Sequence, residues 1–221
     1  MRRQWIGTVL AATALLGSAL GVTGCGASSR AGTFVPRGSA APAPSSSGPA
    51  GPGLVHFPFP ASVHIEFQTP PPASSPQRAV VLTDEDFQLA YYWSLYSEGG
   101  NQRFARYIAS PTVLSAVQAS VAQNFAEHER IRGILRIYRT TVAQVAGAAG
   151  APSGLAVSFC GDNSQLASVS ARTGAVVPDQ TPAVQHWFSQ TDSYIARHGS
   201  WVLASISTVF YPAGPAKECK P

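Results

Sequence analysis

Three cysteines are the residues whose type and spacing say most about the chemistry of this chain. Cys25 ends an apolar N-terminal segment, whereas Cys160 and Cys219 lie far downstream. A thiol beside an apolar segment can accept a lipid, and two thiols can join in one disulfide. The sequence contains no P-loop, GxSxG, HExxH or CxxC pattern, so the enzyme classes that use those motifs are unsupported.

Residues 1–24 have the layout of a secretory signal, with a basic start at Arg2 and Arg3 and an uncharged apolar middle. The stretch Val22-Thr23-Gly24-Cys25 resembles the lipobox of bacterial lipoproteins. That resemblance implies that Cys25 is lipidated and becomes the mature N-terminus. We therefore expect the protein to be lipid-anchored at the extracytoplasmic face of the cell membrane. A plain signal or an uncleaved anchor helix is the alternative, because the apolar run is just long enough to span a bilayer.

Export places the other two thiols in an oxidising compartment, where disulfides persist. Two cysteines allow one connectivity, so we expect a Cys160–Cys219 disulfide. In the chain-entropy model it closes a loop of about 60 residues and stabilises the fold by about 4 kcal/mol. The alternative is a pair of free, buried thiols.

Composition divides the remainder of the chain into two parts. Residues 25–53 are almost entirely Gly, Ala, Ser and Pro, which cannot bury enough apolar surface to fold. We expect a disordered tether there and one folded domain over 54–221. Removing Arg2 and Arg3 leaves 13 basic residues against 11 acidic ones, so the charge gives no reason to expect nucleic-acid binding.

The first half of this domain has mainly helical patterns. Alternation predicts a strand over 62–67. Thr83, followed by Asp84-Glu85-Asp86, predicts the start of a helix, with a hydroxyl cap and acids in the first turn. A short helix is predicted over 101–109, and a third one from Ser110 to about Arg130. The apolar face of the first helix is predicted to contain Phe87, Ala90, Tyr91, Ser94 and Leu95.

The second half has strand patterns separated by Gly and Asn turns. The predicted strands are 134–145, 155–160, 166–171, 184–197 and 201–211, and in the last one Val202, Ala204, Ile206, Thr208 and Phe210 form the more apolar face. The order of elements predicts an α+β fold, with helices on one face of a curved antiparallel sheet of four to six strands.

Several features together resemble a group of actinobacterial secreted lipoproteins with a SnoaL-like, nuclear transport factor two-like cone domain. They are the element order, the final strand pair joined at His198-Gly199, the segment Cys160-Gly161-Asp162-Asn163-Ser164, and the terminal Lys217-Glu218-Cys219. The resemblance implies a cone of sheet wrapped around a long helix. It implies no particular reaction, because that group has no assigned activity.

Three residues are candidates for acid–base catalysis. Asp162 follows a predicted strand and could act as a general base, although Asp162-Asn163-Ser164 also fits a turn with local hydrogen bonds. Asp192 and His186 share one face of a predicted strand with Phe188 and Tyr194. They are about 20 Å apart along that strand, so they cannot hydrogen-bond to each other there. The alternative interpretation of this face is a solvent-exposed strip.

Aromatic and basic residues supply two further hypotheses. Phe87, Tyr91, Phe188 and Tyr194 could line a ligand pocket, and the alternative is that they form the core. Four arginines within 130–139 could meet anionic lipid or wall phosphates, or could simply occupy an exposed strand face. His128 is interpreted as a solvated helix end, and the histidines show no zinc-binding spacing. We therefore expect no metal and no cofactor.

These inferences favour a non-enzymatic lipoprotein that binds a small apolar ligand or docks to a partner protein of the envelope. The first alternative is a SnoaL-like enzyme that uses a pocket carboxylate for proton transfer or hydrolysis. The second is a structural assembly subunit, because sheets of the resembled fold often pair into homodimers.

Overall fold

The computed structural model describes residues 56–68, 75–146, 153–178, 186–211 and 214–220. The predicted signal, the lipidation residue Cys25 and the tether lie outside these ranges. The elements are β1 (Val63–Gln68), α1 (Ser75–Tyr96), a short 3-10 helix (Arg103–Tyr107), α2 (Pro111–Ala126), β2 (Glu129–Val145), β3 (Gly154–Ser170), β4 (Trp187–Arg197), β5 (Ser200–Tyr211) and a final 3-10 turn (Lys217–Cys219).

The strands form one five-stranded, open sheet in the order β1-β2-β3-β4-β5. The α+β class is therefore confirmed, but the expectation of a purely antiparallel sheet is wrong. Strand β1 pairs parallel to β2, with Val63 opposite Gly133, whereas the other neighbours are antiparallel. Two helices connect β1 to β2, and such a long crossover can return the chain in its original direction.

Helix α1 begins at Ser75, eight residues before the predicted start, so Thr83 lies inside it and is not its cap. The Thr83 hydroxyl donates to the Ala79 carbonyl, 3.0 Å away, as hydroxyls within helices do. The earlier turns belong to the helix because Ala79, Val80 and Val81 are buried. This start also places Asp84 in mid-helix, on the side that packs against the sheet.

Strand β3 is one continuous strand, where the sequence predicted two strands separated by a turn at Gly161. Packing against β4 explains why this strand has a glycine at position 161. The Phe188 ring of β4 fills the place where a side chain would stand, and a Cβ on Gly161 would lie 2.1 Å from the Cζ atom of Phe188. Gly161 therefore allows the backbone of β3 to lie close to the Phe188 ring, and it does not mark a turn.

The hairpin between β4 and β5 turns at His198 and Gly199, as predicted, and both have positive φ. The predicted apolar face of β5 is only partly correct. Ser193 pairs with Ser205 but Tyr194 pairs with Leu203, so one extra residue interrupts the register. Beyond this bulge, towards the hairpin, Trp201 and Leu203 are the buried residues instead of Val202 and Ala204.

The core lies between the two helices and one face of the sheet, which we call the inner face. Its most buried large side chains include Tyr194, Phe104, Leu135, Ile137, Leu203 and Val157. The predicted disulfide is present, and it joins Cys160 of β3 to Cys219 in the final turn, with a Cα–Cα distance of 5.6 Å. Because side chains alternate along a strand, Cys160 lies on the opposite, outer face from Phe159.

Candidate functional site

Two carboxylic acids meet between α1 and the middle of the sheet. Asp84 comes from the helix and is 2 % exposed, and Asp192 comes from β4 and is 0 % exposed. Their carboxyl groups hydrogen-bond to each other. Asp192 lies opposite Val157 of β3 and Ile206 of β5, so it is enclosed by strands on both sides. A buried acid pair of this kind needs partners for its remaining oxygen lone pairs.

Those partners come from the same two elements. The Tyr194 hydroxyl donates to Oδ1 of Asp84 at 2.8 Å. Gln88 donates its amide to Oδ2 of Asp192 at 3.1 Å, and Gln190 donates to both oxygens of Asp192 at 3.0 and 2.9 Å. We call these five residues the carboxyl cluster.

The spacing of these residues explains why they converge. Asp84 and Gln88 are four residues apart and therefore lie on the same face of α1. Gln190, Asp192 and Tyr194 are two residues apart and share the inner face of β4. The cluster also extends to β5, because the Thr208 hydroxyl donates to Oε1 of Gln190 at 3.2 Å.

Burial controls the protonation of the pair. It raises the pKa of Asp84 from 3.8 to about 6, although hydrogen bonds from Asp192, Tyr194 and Gln88 act in the opposite direction. Burial, followed by the negative charge of Asp84, raises the pKa of Asp192 well above its ordinary value. Asp192 is therefore the protonated member and donates its proton to Asp84. The two acids hold one proton between them, as close carboxyl pairs do.

The neighbouring groups favour the same charge state. Burial and the two nearby carboxyl groups raise the pKa of Tyr194 well above its ordinary value, so its phenol stays a donor. Glu85 is half-buried, and burial, with Asp84 and Asp86 beside it, raises its pKa to about 7. Negative charge is thus unfavourable along this turn of α1.

The predicted strand face of Asp192 is confirmed in part. Asp192 shares the inner face with Phe188 and Tyr194, and all three are buried. The alternative of a solvent-exposed strip is wrong, because α1 packs against this face. His186 precedes β4, is half-buried, and contacts the Trp187 ring at 5.9 Å between centroids. It is not among the residues of the carboxyl cluster.

Asp162 lies within β3 and not in the predicted turn. Its Oδ1 accepts a hydrogen bond from the Ser164 backbone at 2.9 Å, which agrees with the local-bonding interpretation. Alternation places it on the outer face, two residues from Cys160, whereas Phe159 and Gly161 face inward. The structure therefore does not bring Asp162 to the cluster.

The four aromatic residues proposed for a pocket are instead packed in or against the core. Phe87, Phe188 and Tyr194 are buried, and the Tyr91 hydroxyl lies 3.1 Å from the Ser120 hydroxyl. A groove of about 240 Å³ does occur elsewhere, between the end of α1 and α2. Its lining is Glu98, Gly99, Gly100, Gln102, Gln118, Val121 and Ala122, and it includes none of the four aromatics.

The arginines of β2 have local partners, which favours the exposed-strand interpretation. Arg130 is ion-paired with Glu98, and Arg136 with Glu66 at 3.1 Å. Arg132 donates to the Gly174 carbonyl and Arg139 to the Glu218 carbonyl. Within the described ranges, no three His, Cys, Asp or Glu side chains are grouped closely enough to hold a metal ion.

Sequence reasoning missed Asp84, Gln88 and Gln190. A signal was present, because Asp84 and Gln88 fall within the apolar helical stripe, and Gln190 alternates with Asp192 and Tyr194. Polar residues on an apolar face indicate a buried network or a site. The run Thr83-Asp84-Glu85-Asp86 also fits the first turn of a helix, however, and that interpretation removes Asp84 from the apolar face.

No protein-family model matches the chain, and neither a curated protein nor a solved structure is significantly similar to it. The cone-domain resemblance therefore remains a prediction. Among the helices in the described part of the chain, none has the length and apolar character needed to cross a membrane.

Proposed function

We propose that this protein is an extracytoplasmic lipoprotein, anchored to the membrane through Cys25, whose domain works by docking to an envelope partner and not by catalysis. The observation that carries this proposal is the state of the carboxyl cluster. Asp192 has no exposed surface and Asp84 has almost none. Both groups are hydrogen-bonded to side chains of the domain itself.

This enclosure argues against a working acid or base. A general base must come within hydrogen-bond reach of the proton that it removes, about 2.6–3.2 Å. At Asp192, Gln88, Gln190 and Asp84 already occupy that first layer. The aromatics that would line a small-ligand pocket pack in and against the core, so docking is favoured over the binding of a small ligand inside the domain.

An enzyme is the second candidate, and one observation favours it. Two acids that share a proton, with raised pKa values, are more frequent at functional sites than elsewhere. In that case the cluster would have to open, and Asp84 with Tyr194 would face the substrate. The two candidates therefore differ in whether reagents reach the acids in the native protein.

Carbodiimide labelling of the full-length native protein, followed by peptide mass spectrometry, distinguishes them. We expect Asp84 and Asp192 to remain unlabelled in the native protein and to react after denaturation. Asp162 is the matched control, because it is a partly exposed carboxyl on the outer face and should react in both states. Native labelling of Asp84 or Asp192 to the extent seen at Asp162 would favour the enzyme.

The anchor is tested separately by fractionating cells that express Cys25→Ser. We expect the variant to be found in the soluble extracytoplasmic fraction, because it cannot be acylated, while the unaltered chain remains with membranes. Membrane retention of a Cys25→Ser chain from which the signal has been removed would contradict the lipid anchor. Retention with the signal intact would instead indicate an anchor helix.

A further inference from the structure

Strand β5 is the last strand of the sheet, and much of its outer edge lacks a pairing partner within the described part of the chain. Near its start, Ile108 bridges to Leu203 and the Ala109 amide donates to the Leu203 carbonyl at 2.8 Å. Beyond this contact, residues 205–211 pair with β4 and with no other strand of the described ranges. We call residues 205–211 the β5 edge.

The β5 edge lacks the features that usually keep sheet edges from pairing. Strand Ser200–Tyr211 contains no charged residue and no proline. The opposite edge, β1, contains Glu66 and His64 and follows two prolines, at 58 and 60. Charges and prolines at an edge oppose the addition of another strand. One edge of this sheet is therefore protected by its sequence and the other is open.

Large apolar side chains are exposed along the open edge. Val209 is 52 % exposed and Phe210 is 40 % exposed, and these two are among the few exposed large apolar residues of the described chain. Phe210 also touches the core, because its ring centroid lies 6.0 Å from that of Phe188. A strand added here would extend the sheet and cover the exposed apolar surface.

From these observations we propose that two copies of this protein pair through their β5 edges. The strands run antiparallel about a two-fold axis at Thr208, which joins two five-stranded sheets into one. In this register Ile206 lies opposite Phe210 of the partner subunit, and Ser207 lies opposite Val209 of the partner subunit. Apolar side chains thus meet on the inner face, and the outer face pairs a small residue with a large one.

The absence of charge favours a second copy over a different protein. A two-fold axis places residues of the same edge opposite one another, so an edge with charges of one sign would repel itself, whereas this uncharged edge does not. The pairing follows from the sheet edge alone and does not depend on lipidation of Cys25. If the anchor is present, it confines both copies to one surface and raises their effective concentration.

Sedimentation equilibrium of the full-length protein in density-matched detergent measures the association. We expect the unaltered protein to have twice the protomer mass. The double variant S207K/V209K places like charges opposite each other twice, and we expect its dissociation constant to rise at least about tenfold. The variant S207K/V209E places opposite charges at the same two positions, and we expect it to recover the dimer.

The control is Gln68→Lys, which adds a charge to the exposed end of β1 and should leave the dimer unchanged. Circular dichroism of each variant shows whether it folds. If one of the two double variants does not fold, the comparison of the other with the unaltered protein still tests the proposal. The proposal is overturned if the unaltered protein stays at the protomer mass over the concentration series. It is equally overturned if S207K/V209E dissociates as S207K/V209K does, because edge pairing in this register requires recovery.

Discussion

Replacing Asp84 with Asn should make the domain more stable at neutral pH while leaving it unchanged in acid. The amide has nearly the shape of the protonated carboxyl group, and its oxygen can still accept from Tyr194 and Asp192. It cannot ionise, however, so it never places a charge in the core. The substitution therefore removes one ionisable group from the core of the folded protein.

The size of the effect follows from the pKa of Asp84. Folding raises it from 3.8 to about 6, so the folded protein binds this proton more tightly than the unfolded chain does. The stabilising contribution is complete below about pH 4 and is lost as the pH rises towards 6. This difference corresponds to about 3 kcal/mol. Because the pKa of Asp192 is also raised, the free energy of unfolding continues to fall at higher pH.

Urea unfolding of the full-length chain, with the disulfide oxidised, measures how the free energy of unfolding changes over a series of pH values. We expect Asp84→Asn to match the unaltered protein near pH 4 and to exceed it by up to about 3 kcal/mol above pH 6. Asp162→Asn is the control for the loss of a carboxyl group, because Asp162 lies on the outer face and outside the carboxyl cluster, and it should not reproduce this gain in stability above pH 6. Parallel profiles for Asp84→Asn and the unaltered protein would refute the argument.

Three further predictions concern the same fold. Tyr194→Phe removes the hydroxyl that donates to Asp84, so the free energy of unfolding measured in urea should fall by about 1–3 kcal/mol. The pKa of Asp84 should rise without this donor, so the pH at which stability falls should move upward. Gly161→Ala should destabilise by about 1–3 kcal/mol because its Cβ would strike the Phe188 ring, and adding Phe188→Leu should recover part of that loss in the same assay. Replacing Cys160 and Cys219 together by Ser should lower the unfolding free energy by about 4 kcal/mol, and an unchanged denaturation midpoint would contradict the structural role of the disulfide.

The sequence was sufficient for those features that depend on nearby residues. The His198-Gly199 hairpin was predicted because two adjacent residues tolerate positive φ, and the disulfide followed from counting thiols in an exported chain. The α+β class followed from the change in periodicity along the chain.

The features that failed depend on contacts between distant residues. Thr83-Asp84 resembles a helix start, and only the packing of the preceding turns against the sheet shows that the helix starts earlier. Pro76, the second residue of α1, fits this earlier start, because proline is tolerated in the first turn. The bulge opposite Ser193 reversed the predicted face of part of β5, since one extra residue inverts a two-residue period.

The candidate site was predicted only in its strand half. Period-two counting placed Asp192 and Tyr194 on one face, but it could not show that a helix covers that face. The acid partner Asp84 lies 108 residues away in sequence. No local pattern joins the two, so the shared proton becomes evident only from the structure.

A carboxyl-carbon NMR titration of Asp84 and Asp192 in the native protein tests the central claim most directly. The enclosed, proton-sharing pair predicts that the carboxyl of Asp84 titrates near pH 6 and that Asp192 stays protonated well beyond its ordinary range. Titration of both residues close to 3.8, as for exposed aspartates, would mean that the two acids are open to water. The docking proposal, which depends on a closed cluster, would then be contradicted.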